Sequence, residues 1–443
     1  MLWLTNVRLP LERACGHGRQ QRWRVGFDDE GLITSLTPLA AGSRAAGHDW
    51  GGDWLSPMGV DLQINGGLGL AFPELSEKDL PRLGALLERL WRDGVEAICP
   101  TLVTCGVQPL RQALAVLRQA RAAHRPGLCR LLGAHLEGPF LAEARRGAHP
   151  REHLAAPSPE ALRQRIEGFL GPAEAAAAWL GREPAPGEST AAAGAEAWPA
   201  ATLAADLALV TLAPELEGAA EVIGALRRAG VVVSLGHSNA SEREAAAAFE
   251  AGVGMLTHTF NAMNGLGHRA PGPVAAALLR DDVALGLIAD GVHVAPSMAV
   301  LLQRLAPDRT VIVSDALAPY GLADGIHRWD ERELQVKDGS CRLADGTLAG
   351  VTLPLLEGAV RLALWSGRPE RAIAAATVLP RRVLGERRPL EQLLLGRPLS
   401  DTLRWRQGEQ GLQWIHNRRP GSMAGQINPG ELFDRPLDDQ FKV

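Results

Sequence analysis

Residues 231–264, VVVSLGHSNASEREAAAAFEAGVGMLTHTFNAMN, constrain the fold more than any other stretch. They read as strand, helix, strand. Val231 to Leu235 is an unbroken apolar run that stops at Gly236-His237, as expected of a strand covered on both faces. Ser241 and Glu244 have the S-x-x-E spacing of a capping box, so a helix should start at Ser241. Ala245 to Ala251 favours helix and Gly252 stops it. A second short apolar run, Val253 to Leu256, leads into Thr257-His258. Two successive parallel strands are therefore expected, each with a histidine at its carboxyl end.

The same alternation begins at Pro57. MGVDLQI, GVEAICPTL, LCRLLGAHLE and LALVTLAPE precede this unit, and VALGLIAD and TVIVSD follow it. Helices are expected near 77–92, 106–124, 217–229 and 295–305. Eight apolar strands in βα units predict a parallel sheet covered by helices and closed as a (β/α)₈ TIM-type barrel. An open doubly wound sheet is the alternative. Residues 1–55 differ: LWLTNVRL, RWRVGFD and LITSLTPL are separated by turn residues, with no helix between. Beyond Gly385 the chain returns to short strands, LEQLLLG, TLRWRQG and GLQWIHN. Residues 1–55 and 386–443 are therefore expected to form one small β domain beside a 56–385 barrel. Residues 171–201, rich in Ala, Gly, Pro and Glu, read as an irregular insertion between the third and fourth units. From Arg418 the chain is a polar tail with no clear element.

Composition narrows the class. With 443 residues, 46% hydrophobic and 22% charged, the chain can bury a large core and should fold as a soluble protein. A net charge of −4 gives no support for nucleic-acid or anionic-membrane binding, which needs a basic face. The five cysteines are odd in number and form no C-x-x-C, which argues against a disulfide framework or a zinc–cysteine site. No uncharged run approaches the ~20 residues of a membrane span. MLWLTNVRLPLE is charged too early for a signal peptide. A cytoplasmic location is expected.

In a β/α barrel all strand carboxyl ends face one mouth, where sites are built. The third strand ends in His135-Leu136-Glu137, and strand alternation places His135 and Glu137 on one face. Glu137, His237 and His258 together supply an oxygen and two imidazoles, the donor set of catalytic metal sites that keep one position open. Such a metal lowers the pKa of water and polarises a carbonyl. Asp315, after the eighth strand, is placed to accept a proton and return it to a leaving group. After the seventh strand, His293 is placed to orient or polarise a substrate carbonyl, with Asp290 behind it or bonded to backbone. Phe260-Asn261-Ala262-Met263 followed by His268-Arg269 offers N–H groups, an amide and a guanidinium suited to an anion such as phosphate. Arg145-Arg146-Gly147-Ala148-His149 is a second basic stretch, equally readable as a solvated charge run. Each residue has a bland alternative: a hydrogen-bonded loop histidine, a salt-bridged glutamate, a helix-capping aspartate.

DLQINGG (61–67), HLEGPF (135–140), TLAPE (211–215), GHSNA (236–240), THTFNAM (257–263), DGVH (290–293), SDALA (314–318) and DGTLAG (345–350) occur in this order. This succession resembles the N-acetylglucosamine-6-phosphate deacetylase family of the amidohydrolase superfamily, over most of residues 50–385. The resemblance implies a barrel with a small β-sandwich from both chain ends. It implies Glu137, His237 and His258 as ligands of a divalent metal, zinc first, with iron, cobalt or manganese also suited. It implies Asp315 as acid/base, and Ala148, Asn261, Ala262, Arg269, His293, Leu348, Ala349 and Gly350 as substrate contacts. In this family the phosphate-binding arginine can come from a partner subunit, so a homodimer is expected. Many amidohydrolases carry H-x-H at the end of the first strand. Here the place reads Gln63-Ile64-Asn65, so one tightly bound metal is expected rather than two. The competing readings are another hydrolase of the superfamily, acting on a cyclic amide, a dipeptide or a base, and a silent homologue that only binds amino-sugar phosphates.

Overall fold

A computed structural model describes residues 2–11, 20–40, 42, 45–180, 198, 200–330, 332–409 and 411–417. Its centre is eight strands: β1 (Gly59–Ile64), β2 (Val95–Val103), β3 (Ala134–Glu137), β4 (Leu207–Leu212), β5 (Val232–Leu235), β6 (Met255–Leu256), β7 (Ala284–Leu287) and β8 (Thr310–Ile312). Each pairs in parallel with the next. The ring is joined between β8 and β1 at the carboxyl ends. There the Asp315 N–H donates to the Gln63 carbonyl at 2.8 Å and the Asn65 N–H to the Ala316 carbonyl at 2.7 Å. The fold is therefore the α/β TIM-type barrel, and the open doubly wound alternative is excluded.

Local sequence explains the elements. All six residues of β4 are buried, because one face looks into the barrel and the other lies under helices. Helix Leu80–Arg92 turns Leu83, Leu86, Leu87 and Leu90 inward, the i, i+3, i+4, i+7 stripe of an amphipathic helix. Helix Glu242–Glu250 begins at the expected capping box. The Glu244 N–H donates to Ser241 Oγ at 3.3 Å, and Glu244 Oε2 accepts the Ser241 N–H at 2.8 Å. LCRLLGAHLE is not one strand but two pieces, Arg130–Leu131 and β3.

Outside the barrel, Leu2–Val7, Arg22–Phe27 and Ile33–Leu39 form antiparallel pairs. Thr402–Gly408 pairs with Gly411–His416 and with Trp54–Pro57, so the late hairpin is sewn onto the early chain. LEQLLLG, expected as a strand, is a helix over Leu390–Leu394. Its spacing explains the change: Leu390 and Leu394 sit on one helical face, against Leu4, Val25 and Ile33. Within and just beyond the insertion at 171–201, Pro172–Leu180 and Ala200–Ala204 are helical. Residues 181–197 and 199, and the tail from Arg418, lie outside the described residues.

One unit was not anticipated. After β8, Gly325–Trp329, Arg332–Lys337, Ser340–Leu343 and Leu348–Val351 form an antiparallel sheet. It reaches the barrel mouth, where Arg332 donates to the Ala148 carbonyl at 2.8 Å. No described helix is long and apolar enough to cross a membrane.

Candidate active site

Four strand ends meet at the mouth. Glu137 closes β3, His237 and His258 stand two residues beyond β5 and β6, and Asp315 stands three beyond β8. All four are buried. His237 (φ 50°), His258 (φ 26°) and Asp315 (φ 50°) are left-handed, as is Ala262 (φ 50°) in the loop after β6. Such backbone costs non-glycine residues of order 1–3 kcal/mol each and persists where surrounding structure imposes it. Here the chain leaves each strand abruptly and the side chain swings into the mouth. Gly236 is glycine for a related reason: a Cβ there would stand 2.8 Å from the side chains of Thr211 and Thr257.

Three donor atoms converge. Glu137 Oε1 is 3.1 Å from His237 Nε2 and 3.1 Å from His258 Nε2, and the two Nε2 atoms are 3.0 Å apart. His237 Nδ1 donates to the Arg145 carbonyl at 2.8 Å. In the neutral ring this leaves Nε2 with a bare lone pair facing a carboxylate oxygen. That contact is favourable once a proton or a metal cation lies between the two atoms, and it is the usual orientation of a metal-binding imidazole. The donor set of one oxygen and two nitrogens also fits a divalent ion. Burial pushes the Glu137 carboxyl up, but His237 and His258 outweigh it and hold Glu137 well below the usual range. Its charge is thus available to a ligand.

A third imidazole is close by. His149 Nε2 lies 4.0 Å from Glu137 Oε2, and its ring centroid is 4.4 Å from that of His237. Glu137, His149 and His237 are also near enough to share an ion. His149 sits in a loop and carries no strand-end signal. Only tertiary contacts, such as Nδ1 to Thr104 Oγ1 at 2.9 Å, bring it inward.

The amide nitrogens of Gln63 and Asn65 bond the carboxylates of the mouth. Asn65 Nδ2 donates to Asp315 Oδ1 at 2.7 Å. Gln63 Nε2 reaches both Glu137 Oε1 at 3.1 Å and Asp315 Oδ1 at 3.2 Å. Amide donors thus hold two neighbouring carboxylates where imidazoles stand in many amidohydrolases. Burial and the Glu137 charge push Asp315 up to about 7, against the pull of His258, His293 and Asn65. Below it, buried Asp61 accepts the Ser314 hydroxyl at 2.5 Å and the Ser314 N–H at 3.1 Å, tying down the residue before Asp315.

These groups line a cavity of about 290 Å³. Ala148, Asn261, Ala262, His293, Leu348 and Ala349 lie on its wall, with Trp329 and Leu317 as apolar neighbours. Gly350 is buried beside the wall rather than on it: a Cβ there would be 2.8 Å from the Asp315 carbonyl oxygen. Arg269 is exposed and does not line this chain's cavity. Arg145 does, with its guanidinium bonded to Asn239 Oδ1 and Asn264 Oδ1, each at 2.6 Å.

No family model matches the chain. It is 34% identical over 382 residues to N-acetylglucosamine-6-phosphate deacetylase of Bos taurus, covering 83% of each chain. It is 33% identical over 358 residues to N-acetylgalactosamine-6-phosphate deacetylase of Escherichia coli O157:H7, covering 80% of this chain and 84% of that one. A mutant N-acetyl-D-glucosamine-6-phosphate deacetylase of Mycobacterium smegmatis, solved in complex with N-acetyl-D-glucosamine-6-phosphate, superposes with a TM-score of 0.66 at 26% identity, over 87% of this chain and 90% of that chain. With this identity sustained along most of both chains and the barrel shared, the chain belongs to the N-acetylglucosamine-6-phosphate deacetylase family.

Proposed function

We propose that this chain hydrolyses the acetamido group of N-acetyl-D-glucosamine 6-phosphate, releasing D-glucosamine 6-phosphate and acetate. The observation that carries the reading is the meeting of Glu137, His237 and His258 within 3.0–3.1 Å, beside Asp315. Those three residues would hold one divalent ion, zinc by donor type. When bound, the ion supplies Lewis acidity for an attacking water and for the acetyl carbonyl. The protein supplies the rest. Asp315 takes the proton of the attacking water on a carboxylate oxygen and delivers it to the departing sugar nitrogen. Asn65 and Gln63 keep that carboxylate aimed, and His293, on the cavity wall, orients the substrate.

The loop at Asn261 and Ala262 contacts the sugar phosphate, with Ala148, Leu348, Ala349 and the Gly350 turn around the ring. Arg269 belongs to the same loop but is exposed, which suits an arginine that serves the pocket of a second copy in a homodimer. The four described cysteines are free, and three are buried. This suits a reducing, cytoplasmic setting.

The test is metal content measured alongside acetate release from N-acetylglucosamine 6-phosphate, its galacto epimer and both sugars without phosphate. Turnover that needs both phosphate and metal supports the reading. Turnover indifferent to phosphate favours another hydrolase of the superfamily, and binding without acetate release a silent homologue. Mixed dimers of R269A and D315N chains test sharing of the arginine: restored activity on mixing is expected if one subunit completes the other.

A further inference from the structure

TLAPE (211–215) and GHSNA (236–240) meet beside His237, and the scheme above uses neither Glu215 nor Asn239. Glu215 stands three residues beyond β4 and is not among the residues that line the cavity. Its carboxylate reaches across to the turn that follows β5. Oε1 accepts the Asn239 N–H at 2.6 Å, and Oε2 accepts the Ser238 hydroxyl at 2.7 Å. Ser238 Oγ in turn accepts the Ala240 N–H at 2.9 Å. One side chain thus gathers the two residues after His237. Support is needed there, because His237 itself is left-handed at φ 50°, and such backbone persists only where its surroundings impose it.

The loop after β3 grips the turn from the other side. The Ala142 N–H donates to the His237 carbonyl at 2.9 Å, and the Arg145 carbonyl accepts His237 Nδ1–H at 2.8 Å. Arg145 Nε donates to Asn239 Oδ1 at 2.6 Å, and its Nη2 to Asn264 Oδ1 at 2.6 Å. Asn264 Nδ2 returns to the carbonyls of Asn239 at 2.8 Å and Ala240 at 3.1 Å. A closed circuit results. It runs from His237 Nδ1 through the Arg145 carbonyl and guanidinium to Asn239, from the Asn239 N–H to Glu215, and from Glu215 through Ser238 back to His237.

We propose that Glu215 is a positioning residue of the metal site: with Arg145 it closes this circuit around the 237–240 turn and presents His237 Nε2 to the ion. This rests on the metal reading above. The group bonded to the second nitrogen of a ligating imidazole fixes its tautomer and ring direction, and loss of such outer contacts costs about 10- to 100-fold in metal affinity. Glu215 acts only through the turn that carries His237.

Zinc affinity of the full chain, read by competition with a chromogenic chelator, tests this without turnover. E215A should raise the zinc Kd roughly 10- to 100-fold. E215Q keeps an oxygen for the Asn239 N–H and a polar nitrogen beside the Ser238 hydroxyl, and should bind zinc at least about threefold tighter than E215A. N239A opens the circuit at an exposed residue and should raise the Kd roughly two- to tenfold. Because both act on one circuit, E215A/N239A should bind zinc about as E215A does. In zinc excess, E215A should keep KM within about threefold of wild type. Wild-type zinc affinity in E215A, no recovery in E215Q, or a double variant showing the full product of both losses would overturn the proposal. Should E215A not fold, wild-type affinity in N239A overturns it instead. Zinc bound by E137Q as tightly as by the wild type would sink the metal reading and the proposal together. Affinity lost in E137Q but kept in E215A would sink the proposal alone.

Discussion

Two clusters of buried charge lie at opposite ends of one barrel, and they are wired in opposite ways. At the amino end, Glu96, near the start of β2, pairs with Arg381 at 2.7 Å and Arg397 at 2.5 Å. Arg381 also donates to the carbonyls of Met58 at 2.9 Å and Thr377 at 2.8 Å, with Trp198 4.9 Å from its guanidinium. Each guanidinium nitrogen of Arg381 has a partner. At the carboxyl end, Glu137 and Asp315 have amides and imidazoles around them and no such fork. Gln63 Oε1, Asn65 Oδ1 and His258 Nδ1 find no hydrogen-bond partner among the described residues. Left-handed His237, His258, Ala262 and Asp315 stand here too. One cluster is closed by protein partners; the other keeps three buried polar atoms without a protein partner among the described residues. Charge at the bottom of a barrel serves stability, and charge at its top serves chemistry.

The sharpest way to break this contrast is D315N. It should keep its metal and lose turnover on the order of 10³-fold; undiminished acetate release with metal bound would strip the mouth of its assigned base. Next comes R381M, which leaves Glu96 buried with one partner fewer. It should cost about 3–5 kcal/mol in denaturant unfolding, with KM unchanged in the molecules that remain folded. A variant as stable as wild type would mean that the amino-end cluster is dispensable. Zinc offers the converse experiment. Saturating the wild-type site at about 100 times its Kd should add about 2.7 kcal/mol of stability, while E137Q should gain little, and an equal gain would place the ion elsewhere.

Acid should separate the two ends most finely. Burial pushes Glu96 up, but Arg381 and Arg397 outweigh it and hold the carboxyl below the 4.5 of an ordinary glutamate. The folded state therefore binds its proton later than the unfolded chain. Stabilisation from Glu96 is present above pH 4.5 and drains as pH falls through the folded-state value. Asp315, pushed up to about 7, must be ionised to act as a base. Lowering the pH should thus erode kcat/KM well before it erodes the stability difference between wild type and E96Q. A common midpoint for both losses would abolish the distinction.

Much of the site was legible because a parallel barrel aligns its strand ends. Glu137, His237, His258 and Asp315 follow apolar runs whose type and direction the sequence states, and the barrel brings such ends together whatever their separation along the chain. Gln63 and Asn65 were read only as poor ligands, since a residue type does not disclose which carboxylate it will meet; their partner Asp315 lies 252 and 250 residues away. His149 closes a basic stretch that reads equally as a solvated run, and nothing in such a loop foretells burial against Thr104. LEQLLLG, a short apolar run, fits strand and helix alike, and the cluster around Leu4 and Ile33 decides for helix. The sheet over 325–351 lay hidden behind the rhythm of the barrel.

The sequence by itself determined the alternation of apolar strands with capped helices, and hence the barrel and the place of its mouth, because burial on both faces and helix capping are properties of neighbouring residues. Tertiary structure alone decided which groups would share the mouth's charge, which loop histidine would turn inward, and which two arginines would close around Glu96. Those outcomes depend on Coulomb and hydrogen-bond terms between residues hundreds of positions apart, and such terms take a value only once the ring has closed.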